Sequence, residues 1–386
     1  MNFLHNKNLY NISLLQNNGS TGVQVFQKRF SKLFDEYKLN LNTISPHKLF
    51  FLFFFFYCIR KFFNFLKLYQ IEELLFNKSG QLILYIILKI RLKENSIIFA
   101  QDPLCAVTAH KVILQKKFTN VKVFLFAHYN VSKTLEASIK GYNKKSKIYK
   151  LYFDNENYVY HKIDGIIFLN KNIFQKAKKI FKIDERKIFF IKNFINQNIR
   201  FKKKINKNRF KLINIGTLER RKNQSASILI MKELIKINKN YSLDIYGTGD
   251  DKNKLLKLIE KNKLNFNVRL KGYNNNNIFN IMEKYDAILH TPIMDNLPYI
   301  IVESFSKGLI PFVYKVGGLS SIIKNNFTGF FITSSFKTSA IKIHKTLKNK
   351  KLVNRIRQNV FLEYKKNYTK EVFINNLIKL LSNNHK

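Results

Sequence analysis

Asp295 and Glu303 stand eight positions apart, with Asn296, Leu297 and Pro298 between them, in the stretch TPIMDNLPYIIVESFSKG from Thr291 to Gly308. The short apolar run 287–290 just before it reads as a buried parallel strand. Pro298 can open a helix without loss, because the N–H it lacks would have no intrahelical partner there. A helix starting near Pro298 leaves Asp295 on the loop and carries Glu303 inward. Free N–H groups at such a helix start suit an anion, and carboxylates on either side can hold sugar hydroxyls. The plain alternative is a solvated loop acid and a surface helix acid.

A second cluster, Arg220, Arg221 and Lys222, follows the apolar run that ends at Gly216 and precedes a helix. Cations there suit a diphosphate, Arg as a planar fork and Lys as a point charge, although a charge cluster is more often a solvated surface. In the first half of the chain, Asp102 and His128 each follow a strand-like run, 96–100 and 121–127. Active groups of open α/β sheets lie just beyond the carboxyl ends of strands, but a lone Asp or His there is often only a helix cap or a hydrogen-bonded loop residue. Gly22 ends the loop 17–22 between a strand-like run and a helical one, where a phosphate could approach the backbone, though no GxGxxG is present. Gly247 opens the turn Gly-Thr-Gly-Asp after the run 242–246, and Tyr273 follows a strand-like run that ends in Gly272.

The elements that must position these residues come in two series. Strand-like and helix-like runs alternate from residue 8 to about 196 and again from 210 onward, as expected for parallel sheets covered on both faces by helices. Between them the run 196–204 is polar, basic and non-periodic, which reads as a linker. A chain of 386 residues suits two such domains.

Composition bounds the partners. The formal charge is +45, from 69 Lys and Arg against 24 Asp and Glu. Such a chain is drawn to anionic phospholipid or to phosphate-rich substrates. Lys is spread along the whole chain, whereas a nucleic-acid binder would concentrate it on one face or in a recognised fold. The abundance of Lys, Asn, Ile, Phe and Tyr without any Trp is what an AT-rich coding sequence produces. Cys58 and Cys105 form no disulfide framework or metal spacing, which points to a reducing compartment, and the opening residues are too polar for a signal peptide. The run 49–68 has only eleven uninterrupted apolar residues, too few to span a bilayer, before Arg60, Lys61 and Lys67 interleave with Phe and Leu. It reads either as a helix lying in a membrane interface or as a Phe-rich core helix.

The string Asp295, Asn296, Leu297, Pro298, Glu303 and Gly308 resembles the signature of the retaining glycosyltransferases of family 4, glycosyl transferases group 1, with Asp295 where that family usually carries Glu. The resemblance implies an α/β protein of GT-B architecture, two Rossmann-like doubly wound parallel-sheet domains facing across a cleft. It divides the chain into an acceptor-side domain 1–196, a linker 197–208, a nucleotide-sugar-binding domain 209–365 and a helix 366–386 that crosses back to the first. The implied activity moves a sugar from a nucleotide-diphosphate donor to a glycan or lipid-linked acceptor, with retention of configuration, in cell-surface polysaccharide or lipopolysaccharide synthesis. Residue by residue, Arg221 and Lys222 would meet the donor diphosphate and Glu303 the ribose. Asp295, Asn296, Leu297 and Pro298 would hold the sugar, while Gly22, Gly247 and Tyr273 line the donor site. His128 would face the reacting sugar, and Asp102 matches a less regular position. The family needs no cofactor and no metal, and no Asp-x-Asp pair is present to hold one. The partners expected are a nucleotide-diphosphate sugar, the acceptor and an anionic membrane surface, with no nucleic acid, for a cytoplasmic protein peripheral to the membrane. The rival readings are a catalytically inactive homologue and a basic membrane- or nucleic-acid-binding protein.

Overall fold

The structure is a computed structural model that describes residues 2–16, 19, 21–196, 209–272 and 278–383. The expected linker 197–208 and Tyr273 therefore lie outside the described residues. The described chain forms two compact units, one from Met1–Ile191 with Asn375–Lys386 and the other from Lys192–Ile374.

The first unit is built on a six-stranded sheet. Its strands are β1 (Asn8–Ile12), β2 (Leu41–Ile44), β3 (Ser96–Ala100), β4 (Val121–Ala127), β5 (Gly165–Phe168) and β6 (Ile188–Phe190). They lie in the order β2-β1-β3-β4-β5-β6, and every pair is parallel. Central strands covered on both faces must be apolar almost throughout, and β3 (SIIFA) and β4 (VKVFLFA) are. The helix Gly22–Glu36 presents Phe26, Phe30 and Phe34 at four-residue spacing to Phe99 and Phe126 of the sheet. All five side chains are completely buried, with Phe30 ring centroids 4.6 to 5.6 Å from Phe34, Phe99 and Phe126. The helix Lys370–Asn383 gives this unit Leu377, Leu380 and Leu381, all buried.

The second unit repeats the plan with β7 (Phe210–Ile215), β8 (Tyr241–Tyr246), β9 (Val268–Gly272), β10 (Ala287–His290), β11 (Ile310–Tyr314) and β12 (Phe330–Ile332). These run parallel in the order β12-β11-β10-β7-β8-β9. In each sheet the chain first builds outward on one side and then returns to the other. The reversal falls between β1 and β3 in the first unit and between β7 and β10 in the second, and ligands of doubly wound sheets bind at such points.

Two regions differ in detail from the sequence pattern. The edge strand β2 (LNTI) has two adjacent polar residues, Asn42 and Thr43, and is only partly buried, so no apolar run announces it. The Phe-rich run 49–68 does not form one element: it gives the helix Phe50–Phe65, turns at Lys67 with φ +58°, and passes into a second helix, Tyr69–Arg91.

Replacing Phe30 by Ala removes the ring at the centre of the aromatic cluster and should destabilise the first unit by about 3–5 kcal/mol. Denaturant unfolding followed by a signal from that unit checks this; an unchanged midpoint would mean the cluster is not what holds the helix to the sheet.

Candidate functional site

The residues singled out in the second half of the chain converge on the ends of β7 and β10. After β7 the chain makes a single turn, Arg220–Lys222, passes through Asn223 with φ +52°, and enters the helix Gln224–Ile237. After β10 it makes the loop to Pro298, which precedes the helix Tyr299–Ser306. Backbone stitches the two loops together: Ile293 N–H donates to the Arg221 carbonyl at 2.8 Å, and the Thr291 hydroxyl donates to the Asn223 carbonyl at 2.9 Å. Beneath them a buried polar ladder fixes their height. Asn214 donates to Ser227 at 3.0 Å, and Ser227 bonds Thr291 at 2.8 Å. Buried polar groups satisfied in this way favour one arrangement over its neighbours.

Asp295 is the centre of the arrangement. One carboxylate oxygen, Oδ2, accepts from Lys222 Nζ at 2.6 Å and faces His290 Nε2 at 3.1 Å, while its carbonyl accepts from Gly318 N–H at 2.9 Å. Gly317 lies against that same carbonyl, and a Cβ added there, where φ is +49°, would sit 1.9 Å from the oxygen. Only glycine allows the loop after β11 to come so close. Burial by itself raises the Asp295 pKa, but the Lys222 ammonium and the His290 hydrogen bond outweigh it and hold the carboxyl well below the usual range. Burial also lowers the His290 pKa, against the pull of Asp295. His290 is accordingly neutral at pH 7, with its proton on Nε2 directed at the carboxylate.

Glu303 is buried one turn into the helix Tyr299–Ser306, as the placement of Pro298 before that helix implied. Asn296 and Leu297 are buried beside it, and Asn193 donates to the Leu297 carbonyl at 3.1 Å. Arg221 is exposed and pairs with Glu219 at 2.6 Å, so its guanidinium is open to solvent beside the buried Lys222–Asp295 pair. Gly247 fits for a steric reason. The turn after β8 packs on the loop after β7 so tightly that a Cβ at Gly247 would fall 1.9 Å from the Gly216 carbonyl.

In the first unit, His128 stands just past the end of β4, half-buried between Phe26 and Phe126 at centroid distances of 4.7 and 5.9 Å. Its Nε2 bonds Gln101 Oε1 at 2.8 Å, and Gln101 donates onward to Asn11 at 2.7 Å, which fixes the imidazole orientation and leaves Nδ1 as an acceptor. Burial, with Lys133 adding to it, pushes its pKa down to about 3, so the ring is neutral. Asp102 caps the helix Pro103–Lys116, accepting from the Cys105 N–H at 3.0 Å and the Cys105 thiol at 3.2 Å. Gly22 is the first residue of its helix and meets nothing within 4 Å, leaving open space over the helix start. A cavity of about 510 Å³ lies at the carboxyl ends of β1 and β2, lined in part by Gln16, Asn42, Thr43, His47 and Lys48.

The structure thus brings Arg221, Lys222, Asp295, Asn296, Leu297 and Pro298 together on adjacent loops, with Gly247 beneath them and Glu303 on the next helix. His128, Asp102 and Gly22 belong to the other unit, along one sheet edge. His290 was missed in the sequence, where it passed as the end of a buried strand. The signal was present, because a histidine closing an apolar strand is the same feature that singled out His128. Among the described residues, no three of His, Cys, Asp and Glu are grouped so as to hold a metal ion.

Residues 195–362 match the family described as glycosyl transferases group 1. Over 272 residues the chain is 25% identical to the GtfA subunit of the UDP-N-acetylglucosamine–peptide N-acetylglucosaminyltransferase of Streptococcus agalactiae, covering 69% of this chain and 51% of that one. It therefore spans about half the length of this curated relative. Anabaena HepE, solved in complex with UDP, superposes with a TM-score of 0.70 over 98% of this chain and 100% of HepE, at 13% identity. S. aureus TarM, in complex with Fondaparinux, alpha-GlcNAc-glycerol and UDP, superposes with a TM-score of 0.63 over 78% of this chain and 58% of TarM, at 19% identity. The fold is that of the GT-B glycosyltransferases, two doubly wound α/β units.

Asp295→Asn should leave the Lys222 ammonium without its anion and destabilise the second unit by roughly 3–5 kcal/mol at pH 7. The folded carboxyl holds its proton less tightly than the unfolded chain does. Its contribution is therefore complete above about pH 4 and is lost as the pH falls further toward the folded pKa. Acid unfolding of the variant should be correspondingly shallower over that window. Identical acid transitions in both proteins would show that the pair is not formed in solution.

Proposed function

We propose that this protein is a retaining glycosyltransferase of the family 4 type, which moves a sugar from a nucleotide-diphosphate donor to a glycan or glycolipid acceptor in cell-surface polysaccharide or lipopolysaccharide synthesis. The observation that carries the reading is the Lys222–Asp295–His290 cluster at the β7/β10 reversal, with Glu303 one helix turn beyond. In support, GtfA belongs to a UDP-N-acetylglucosamine–peptide N-acetylglucosaminyltransferase, and TarM was solved with UDP and alpha-GlcNAc-glycerol.

In this reading the donor diphosphate lies over the turn Arg220–Lys222. Arg221 and Lys222 neutralise the charge that develops on the leaving phosphate, and preformed cations do this without reorganising in the transition state. Glu303 accepts hydrogen bonds from the ribose hydroxyls. Asp295 and the backbone that follows it hold the sugar. The bond from the anomeric carbon to the phosphate oxygen breaks and a bond to the acceptor oxygen forms on the same face, while the acceptor proton passes to the departing phosphate oxygen. Transfer then needs neither a protein nucleophile nor a metal, since the two cations supply the compensating charge. His128 has an orienting role, a neutral imidazole bonding a substrate hydroxyl. Asp102, already occupied as a helix cap, positions the loop on which it sits.

Lys222→Ala and Glu303→Ala should each lower kcat/KM by roughly 100-fold with circular dichroism unchanged, and calorimetry should find one nucleoside diphosphate preferred over the others and over RNA. Near wild-type turnover in both variants would sink the assignment, and an inverted anomeric proton signal in the product would remove retention from it. His128→Ala should reduce turnover while leaving the pH profile between about pH 5 and 8 unshifted, because a group titrating near 3 contributes no limb there.

A further inference from the structure

The helix Phe50–Phe65 is inverted. Its only arginine points inward: Arg60 donates through Nε to Glu72 at 2.9 Å and lies 4.3 Å from the Phe76 ring centroid, on the next helix. Its outward stripe, by contrast, runs Phe51, Phe55, Cys58, Phe62, Phe65, at alternating spacings of four and three. Phe55 is 60% exposed, Phe62 59% and Phe65 82%. A helix that only had to fold would turn this face to the core. Codon bias toward Phe does not account for it, because bias would scatter such residues. Of the nine phenylalanines exposed among the described residues, five lie in this one helix.

We propose that this face is a membrane-docking surface, and that its occupant is the headgroup–acyl boundary of an anionic phospholipid bilayer. The charge around it is complementary to that surface and to little else. Between Glu36 and Glu72 the sequence holds no acid, and besides the inward Arg60 it carries Lys38, Lys48, Lys61 and Lys67. The nearest acids are consumed internally, Glu72 by Arg60 and Glu73 by Lys140, Tyr142 and Tyr152. A second copy of the chain is a poor occupant, since each copy carries +45. The helix lies on the bilayer and does not cross it: its sixteen residues extend about 24 Å, short of a hydrocarbon core of about 30 Å. Among the described residues no helix is long and apolar enough to span a membrane. The helix begins two residues after Lys48, at the rim of the cavity lined by His47 and Lys48, so docking would bring that cavity to the lipid surface. The proposal stands apart from the transfer chemistry, and either can fail without the other.

The chain contains no Trp, so one introduced residue reports alone. In the full-length protein, Phe62→Trp should shift its emission to the blue and be quenched by brominated acyl chains when vesicles of phosphatidylcholine with about one third phosphatidylglycerol are added. Phe266→Trp, at an exposed position of the second unit, should do neither. Phe55→Ser with Phe62→Ser keeps the charge and should lower sedimentation with the same vesicles at least about tenfold. Phosphatidylcholine alone should bind weakly, because attraction by exposed charges is what vesicles without phosphatidylglycerol lack. Unchanged binding by the double serine variant would overturn the proposal in favour of general basic adsorption. Absence of binding to both vesicles, with self-association in sedimentation velocity abolished by the same variant, would overturn it in favour of an interface between copies.

Discussion

A single residue, Asp295, ties three strand ends together in the second unit. The side chain of Asp295 takes a cation from the loop after β7 and an imidazole from the end of β10, and its carbonyl takes an N–H from the loop after β11. The attraction between Asp295 and Lys222 must exceed the loss of water around both, and it does so only because the approach is close and the carboxylate has additional donors. Everything nearby is arranged to permit that approach: glycine at 317 where a Cβ would strike the carbonyl, and a satisfied polar ladder below the loops. The pair fixes Lys222 on the loop after β7 and keeps its charge compensated.

The loops were legible in the sequence because their chemistry is local. A proline that can open a helix carries its meaning within a few residues, as Pro298 does, while Lys222 and Gly247 stand out from an ordinary charge cluster and an ordinary turn only through the family resemblance. What escaped depended on the path that the fold gives each loop. His290 matters through a residue five positions on, in a loop whose path only the folded sheet defines. The glycine pair 317–318 is visible in the sequence, but its reason, the passage of the Asp295 carbonyl, is not. The Asp102 carboxylate stood in the right place to react, but its two contacts to Cys105 are those of a helix cap. The long apolar run 49–68 could not be assigned by composition alone, since core and interface helices differ in which face carries the rings, and that face is defined only by packing against the helix Tyr69–Arg91.

The excess of cations has a structural counterpart. With 69 basic residues against 24 acidic, an acid seldom lacks a partner while most lysines must make do with water or with an aromatic ring. The exposed Lys61 lies 5.5 Å from the Tyr57 ring centroid and the exposed Lys365 5.8 Å from that of Phe361. Such contacts let long basic side chains cover apolar surface while their ammonium groups stay wet. The few acids that are buried, such as Glu156, which holds the start of the helix Lys133–Ile139 through Thr134 and the Lys133 N–H, do work that the abundant cations cannot.

The first unit is discontinuous, and that constrains how it comes into being. Its sheet and most of its core are made early, but Leu377, Leu380 and Leu381 arrive only after the whole second unit has been synthesised. A chain made from its amino terminus can therefore complete the second unit while the first still exposes the surface that these leucines will cover. Loss of the residues from Asn375 onward would therefore injure the unit whose strands were made first.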